Sequence, residues 1–184
     1  GITVYSALKE AGMAPGSHVG IVGVGGLGHL AVQFADALGS RVTVFTSSED
    51  KADFAADLGA DEVVVSSGSA PGAEPDRRID VLLNTAPITL DWPAYIDLLD
   101  TDGTLCIVGA PEEPLEFPAQ SLMFKRRRLM GSVIGGRAAI NEMLQTAADF
   151  DIAPIVETFP MEKVNTAIEA LRRHEVRYRA VLTA

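Results

Sequence analysis

Two kinds of apolar pattern alternate along the chain. Compact apolar runs fall at residues 18–22, 41–45, 62–65, 80–84, 104–108 and 129–134, with a last strand-like run at 180–182. Between them, apolar positions recur every three or four residues. Leu27, Leu30, Ala31, Phe34, Ala35 and Leu38 make one face of a helix that Gly39 ends. Helices are also predicted over 3–11, from Ser47 or Ser48 as cap to Leu58, over 92–99, briefly after Pro118, and over 138–148 and 161–173. Residues 66–78 and 111–118, rich in Ser, Gly and Pro, read as loops. Strands nearly apolar throughout are buried on both faces, as in a parallel sheet covered by helices. The expected fold is therefore a doubly wound α/β domain spanning 1–184, with a mostly parallel six-stranded sheet and no internal repeat.

The first strand runs directly into Gly23, Gly25, Gly26, Leu27 and Gly28, a G-x-G-x-x-G sequence that opens the amphipathic helix. Such a strand, turn and helix is the phosphate-binding start of a Rossmann fold. Gly23 permits the tight turn, Gly25 leaves the backbone bare for a diphosphate, and Gly28 lets helix and strand approach. The helix terminus offers unpaired N–H groups and about half a positive charge.

The end of the second strand selects the dinucleotide. An NAD site places a carboxylate there to bind both ribose hydroxyls. Here stand Thr46, Ser47 and Ser48, and the first acid, Glu49, follows on the next helix. Hydroxyls and the nearby Lys51 suit a 2′-phosphate, so NADP is expected rather than NAD, unless Glu49 or Asp50 reaches the ribose.

Composition narrows the partners. Hydrophobic residues make up 47% and charged residues 22%, as in an ordinary globular chain. A net charge of −10 argues against nucleic acid and anionic lipid, and makes binding of an anionic dinucleotide a matter of local geometry. No apolar run approaches the roughly 20 residues of a membrane span. No secretory signal opens the chain, which points to a cytoplasmic setting, and a start at Gly1 suggests a piece of a longer protein. The single cysteine, Cys106, reads as an inert core thiol, and with His18, His29 and His174 it makes no zinc site. His29 is expected on an exposed helix surface. The basic run 125–128 reads as a solvated or ion-paired turn.

Several segments carry a resemblance: 1–6 (Gly-Ile-Thr-Val-Tyr-Ser), 19–29, 58–61, 102–104, 108–111, 124–127, 131–136 and 176–179. In family order they resemble the cofactor domain of zinc-dependent medium-chain alcohol dehydrogenases, in the branch similar to cinnamyl alcohol dehydrogenases. The resemblance implies a two-domain enzyme whose catalytic domain flanks this one on both sides in sequence. Its zinc ligands would lie before Gly1, so this chain would hold neither zinc nor a catalytic residue and would be inactive alone. The implied reaction is hydride transfer between NADPH and an aldehyde, with zinc polarising the substrate oxygen. Implied contacts are Thr3 near the nicotinamide end and Ser47, Ser48 and Lys51 at the 2′-phosphate. Asn84, Thr85, Val108, Gly109 and Ala110 would lie at the ligand-binding ends of their strands. Ser132, Ile134 and Gly135 would lie beside the nicotinamide, and Arg179 near the pyrophosphate. Residues 131–136 resemble the family's dimer edge, implying a homodimer. Alternatives are a zinc-free reductase of the quinone-reductase type, an NADPH-sensing module without chemistry, and a methyltransferase-like domain, which would want an acid where Thr46 stands.

Overall fold

The computed structural model describes residues 1–66, 68–173 and 175–184. Ser67, in the loop expected over 66–78, and His174 lie outside the described residues. Gly1–Ile152 and Ala153–Ala184 form two compact units.

The first unit opens with helix α1 (Ile2–Glu10) and then alternates strand and helix: β1 (His18–Val22), α2 (Gly28–Ala37), β2 (Arg41–Thr46), α3 (Ala52–Asp57) and β3 (Glu62–Val65). After the 66–78 segment come β4 (Ile79–Asn84), α4 (Trp92–Asp97), β5 (Leu99–Ile107), α5 (Gln120–Met123), β6 (Arg128–Gly131) and α6 (Arg137–Asp149). The six strands form one sheet in the order β3-β2-β1-β4-β5-β6, and every pairing is parallel. This is the doubly wound Rossmann order expected from the pattern. The chain walks outward from β1 to β3, then returns to β4 on the other side of β1. The crevice at that reversal is where such sheets bind ligands.

Both faces of the sheet are covered, which explains the unbroken apolar strands. On one side Tyr5 of α1 meets Phe34 of α2 edge to face, 5.3 Å between ring centres, and its hydroxyl lies 3.2 Å from Thr146 Oγ1 of α6. On the other, Phe45 of β2 meets Tyr95 of α4 at 5.6 Å, within a cluster that includes Ile79, Leu82, Trp92, Ile96 and Leu105. Gly20 belongs to this side: a Cβ there would lie 2.7 Å from both Ile79 Cδ1 and Leu82 Cδ1.

Some boundaries differ from the pattern. The helix expected over 92–99 stops at Asp97, and Leu99 begins β5. The strand expected over 129–134 ends at Gly131, opposite Ile107, the last residue of its only partner. In the second unit, β8 (Arg179–Thr183) and α7 (Val164–Arg172) match expected elements. Its other strand, β7 (Val156–Pro160), pairs in parallel with β8 and was not expected. Its alternating exposure and its Glu and Thr give no apolar run to read.

Candidate functional site

Parallel register brings the ends of β2, β1, β4, β5 and β6 to one edge of the sheet, and most of the singled-out residues lie there. At the end of β1, Gly23 adopts φ +89°, which turns the chain out of the sheet. Its N–H donates to Phe45 O at 2.8 Å. The Thr85 hydroxyl lies 2.9 Å from Val22 O and 3.0 Å from Gly23 O, fastening the turn to the end of β4. A Cβ on Gly28 would overlap the Gly23 carbonyl, so only glycine lets α2 start this close to β1. A Cβ on Gly25 would meet nothing within 4 Å. No internal packing therefore explains that glycine, and the space in front of it is open.

The start of α2 is chemically bare. Its cap position is Leu27, no side chain caps it, and its first turn carries no acid. Among the described residues, the N–H groups of Gly25, Gly26, Leu27 and Gly28 donate to no acceptor. Unpaired donors at a helix start favour an anion. His29 departs from expectation. It is fully buried rather than exposed, with Nδ1 2.8 Å from Gly25 O.

At the end of β2, Thr46 is buried; its carbonyl accepts from Ser66 N–H at 2.7 Å, and its hydroxyl accepts from Ser48 N–H at 3.4 Å. Ser48 occupies the cap position of the following turn, yet no side chain makes the capping bond. The expected capping bond from Ser47 or Ser48 is thus not made. Ser47 is exposed, and Ser48 and Lys51 are half-buried. Glu49 and Asp50 are exposed on the turn beyond the strand, and no carboxylate stands at the strand end itself.

The ends of β4 and β5 are tied to each other. Asn84 Nδ2 donates to Ala86 O at 3.1 Å, and Ala86 N–H donates back to Asn84 Oδ1 at 3.2 Å. The Asn84 carbonyl accepts from Val108 N–H at 3.0 Å and Gly109 N–H at 2.9 Å. A Cβ on Gly109 would come within 2.5 Å of Ala86 O. The side chains of Asn84 and Thr85 are thus engaged by backbone, while Val108 is half-buried and Ala110 exposed just past the end of β5.

Past β6, Ser132 N–H donates to Ile107 O at 3.1 Å, and the Ser132 hydroxyl donates to Glu10 at 3.2 Å. Ile134 is exposed. Gly135 packs on α1, where a Cβ would reach Ser6 Oγ at 2.5 Å and Ile2 Cδ1 at 2.8 Å, on the helix that carries Thr3. Arg179 is exposed at the start of β8 in the second unit. The residue that the sequence reading missed is His29. Its available signal was its spacing, four positions after Gly25, where a helical side chain reaches back to the loop.

The bare amides and the open space before Gly25 fit a dinucleotide diphosphate. Zinc does not fit: among the described residues no three His, Cys, Asp or Glu side chains gather to hold a metal. Burial, with a smaller contribution from Glu10, pushes the Cys106 thiol up to about 11, so it stays protonated. The expected ion-paired basic turn is present. Buried Arg127 reaches Asp97 at 2.7 Å, and exposed Arg126 pairs with Asp102. A separate cavity of about 420 Å3, bordered by Gly12, Ser17, Asp80, Asp102 and Arg128, contains none of the expected site residues. No helix among the described residues is long and apolar enough to cross a membrane.

Known proteins are similar to this chain in sequence and fold. A family model described as zinc-binding dehydrogenase matches residues 26–149. A probable formaldehyde dehydrogenase from Bacillus subtilis (strain 168) is 45% identical over 182 residues, covering 99% of this chain and 52% of the relative. A cinnamyl alcohol dehydrogenase structure from Sorghum bicolor matches with TM-score 0.88 and 40% identity, covering 98% of this chain and 52% of that one. A CAD from Helicobacter pylori, complexed with NADP(H), matches with TM-score 0.85 and 30% identity over 98% of this chain and 52% of that one. The chain thus spans about half the length of these relatives. It belongs to the zinc-binding dehydrogenase family, in the part of that family similar to the cinnamyl alcohol dehydrogenases.

Proposed function

We propose that this chain binds NADP(H), in preference to NAD(H), for an alcohol dehydrogenase or aldehyde reductase. The observation that carries the reading is the α2 terminus, with unpartnered N–H groups and neither a capping side chain nor an acid in its first turn. Those donors suit a diphosphate, and the helix dipole adds to them. Ser47, Ser48 and Lys51 stand where a 2′-phosphate would need donors and charge, with hydroxyls uncommitted to capping. The H. pylori relative in complex with NADP(H) supports the same choice.

When bound, the dinucleotide supplies or accepts a hydride at its nicotinamide ring. The chain's part is to orient. Thr85, Asn84 and Gly109 hold the strand ends rigid, the glycine loop grips the diphosphate, and Thr3, Ser132, Ile134 and Gly135 border the nicotinamide end. Zinc would have to be held by residues other than those described, so the isolated chain should reduce no aldehyde with NADPH. A spectrophotometric assay that found steady turnover would refute this. A small alcohol or aldehyde in a cytoplasmic enzyme is the proposed substrate and setting. The outer edge of β6, which among the described residues pairs only with β5, is the proposed contact of a homodimer, to be checked by sedimentation.

The cofactor choice is tested by thermal-shift titration. A ligand at 100 times its Kd stabilises the native state by about 2.7 kcal/mol, so the preferred dinucleotide raises Tm more at equal concentration. NADP should give the larger rise. A larger rise with NAD would overturn the assignment of Ser47, Ser48 and Lys51.

A further inference from the structure

We propose that His29 is a positioning residue for the diphosphate, with its buried imidazole fixing the direction of the Gly26 N–H; the proposal rests on the dinucleotide reading above. Two donors of His29 converge on one oxygen. The backbone N–H lies 3.1 Å from Gly25 O, and ring Nδ1 lies 2.8 Å from it. A carbonyl only accepts, so Nδ1 must carry a hydrogen.

The consequence follows from peptide geometry. In a trans peptide the carbonyl of one residue and the N–H of the next point in opposite directions. Fastening the Gly25 carbonyl toward His29 therefore aims the Gly26 N–H away from it, and that N–H has no acceptor among the described residues. Two successive glycines are the easiest place in a chain for a peptide plane to flip. A flip here would present a carbonyl oxygen to the phosphates in place of a donor. Thr85 does the equivalent one turn earlier, where its hydroxyl on Gly23 O fixes the Val24 N–H. The full burial of His29 shields the imidazole end of the bond from water.

The test compares the native chain with His29→Leu, which removes the donor, and His29→Asn, whose Nδ2 replaces Nδ1 at the same distance from Cβ. Calorimetric titrations use NADP and 2′-phospho-ADP-ribose, which contain a diphosphate, and 2′-AMP, which does not. Each is run where circular dichroism shows the variant folded. His29→Leu should bind both diphosphate ligands about tenfold more weakly and 2′-AMP unchanged, and His29→Asn should restore most of the loss. Equal NADP binding by His29→Leu, or an equal loss for 2′-AMP, would overturn the positioning role. Failure of the native chain to bind NADP would instead overturn the dinucleotide reading, and this proposal with it. A measurement that needs no variant is a long-range 15N–1H spectrum of the native imidazole. Nδ1 should carry a hydrogen at neutral pH, and a ring protonated only at Nε2 excludes the proposed bond.

Discussion

A Cβ built on Gly28 would overlap the Gly23 carbonyl, whereas one built on Gly25 would meet nothing within 4 Å. The two glycines therefore fail differently when replaced. Gly28→Ala forces α2 away from β1 and should cost about 2 kcal/mol of stability in urea unfolding, as overpacking of rigid backbone does. Gly25→Ala should leave stability within about 0.5 kcal/mol yet weaken NADP binding about tenfold, because its methyl enters the space proposed for the diphosphate. If Gly25→Ala binds NADP like the native chain, that space is not where the ligand lies. Cys106 gives a prediction in pH. Burial raises its thiol from 9.0 to about 11, so between those values the folded chain retains a proton that the unfolded chain has lost. Stability should fall as pH rises through that window, with the full benefit present below it. At pH 8 iodoacetamide should modify Cys106 only at the rate of unfolding, and fast alkylation of the native chain would contradict its burial.

Arg127 shows how an element boundary is held. Its guanidinium donates to Asp97 Oδ1 at 2.7 Å, and to the carbonyls of Ser121 at 3.2 Å, Asp97 at 3.1 Å and Leu99 at 3.0 Å. From the turn before β6 it thus joins the end of α4, the start of β5 and α5. Asp97 is largely exposed, so the ion pair itself adds little; the buried carbonyls matter more. Arg127→Met should cost about 2 kcal/mol, read as a lower urea midpoint, because the Leu99 carbonyl at the end of a buried bond loses this donor. Arg127→Lys should recover only part, since an ammonium cannot span the same acceptors. The same region marks where the sequence stopped being legible. β1 and β3 are legible to the residue, because each is a short run, apolar after its first residue, with a clear stop. Leu98 and Leu99 fit a helix or a strand equally well, and the choice depends on Ile79, which pairs with Leu99. The length of β6 is set by where β5 ends, so Val133 and Ile134 look like strand and are not. In the site, the glycine loop was legible because residue type carries its geometry. The hydroxyl of Thr85 was not, because its acceptors lie more than 60 residues away in sequence. His29 was misplaced because a helical wheel gives an angle, not what covers it.

At the scale of the whole chain, a net charge of −10 opposes the binding of an anionic dinucleotide, while a few bare amides favour it. Salt separates the two by distance. Most carboxylates of a domain this size lie roughly 15 Å from any chosen edge, given the radius such domains have. At 10 mM salt the screening length is about 30 Å, so more than half of the repulsion reaches the site; at 150 mM it is about 8 Å and most of it is gone. N–H groups in contact with a phosphate leave no room for ions between them, so their attraction persists. Raising salt from 10 to 150 mM should therefore leave the Kd for NADP unchanged or lower it about twofold, through faster association. Sites dominated by exposed cations behave oppositely. A tenfold loss of affinity over that range, measured by calorimetry, would mean that half-buried Lys51 and the exposed cations hold the cofactor, and that the helix terminus contributes little.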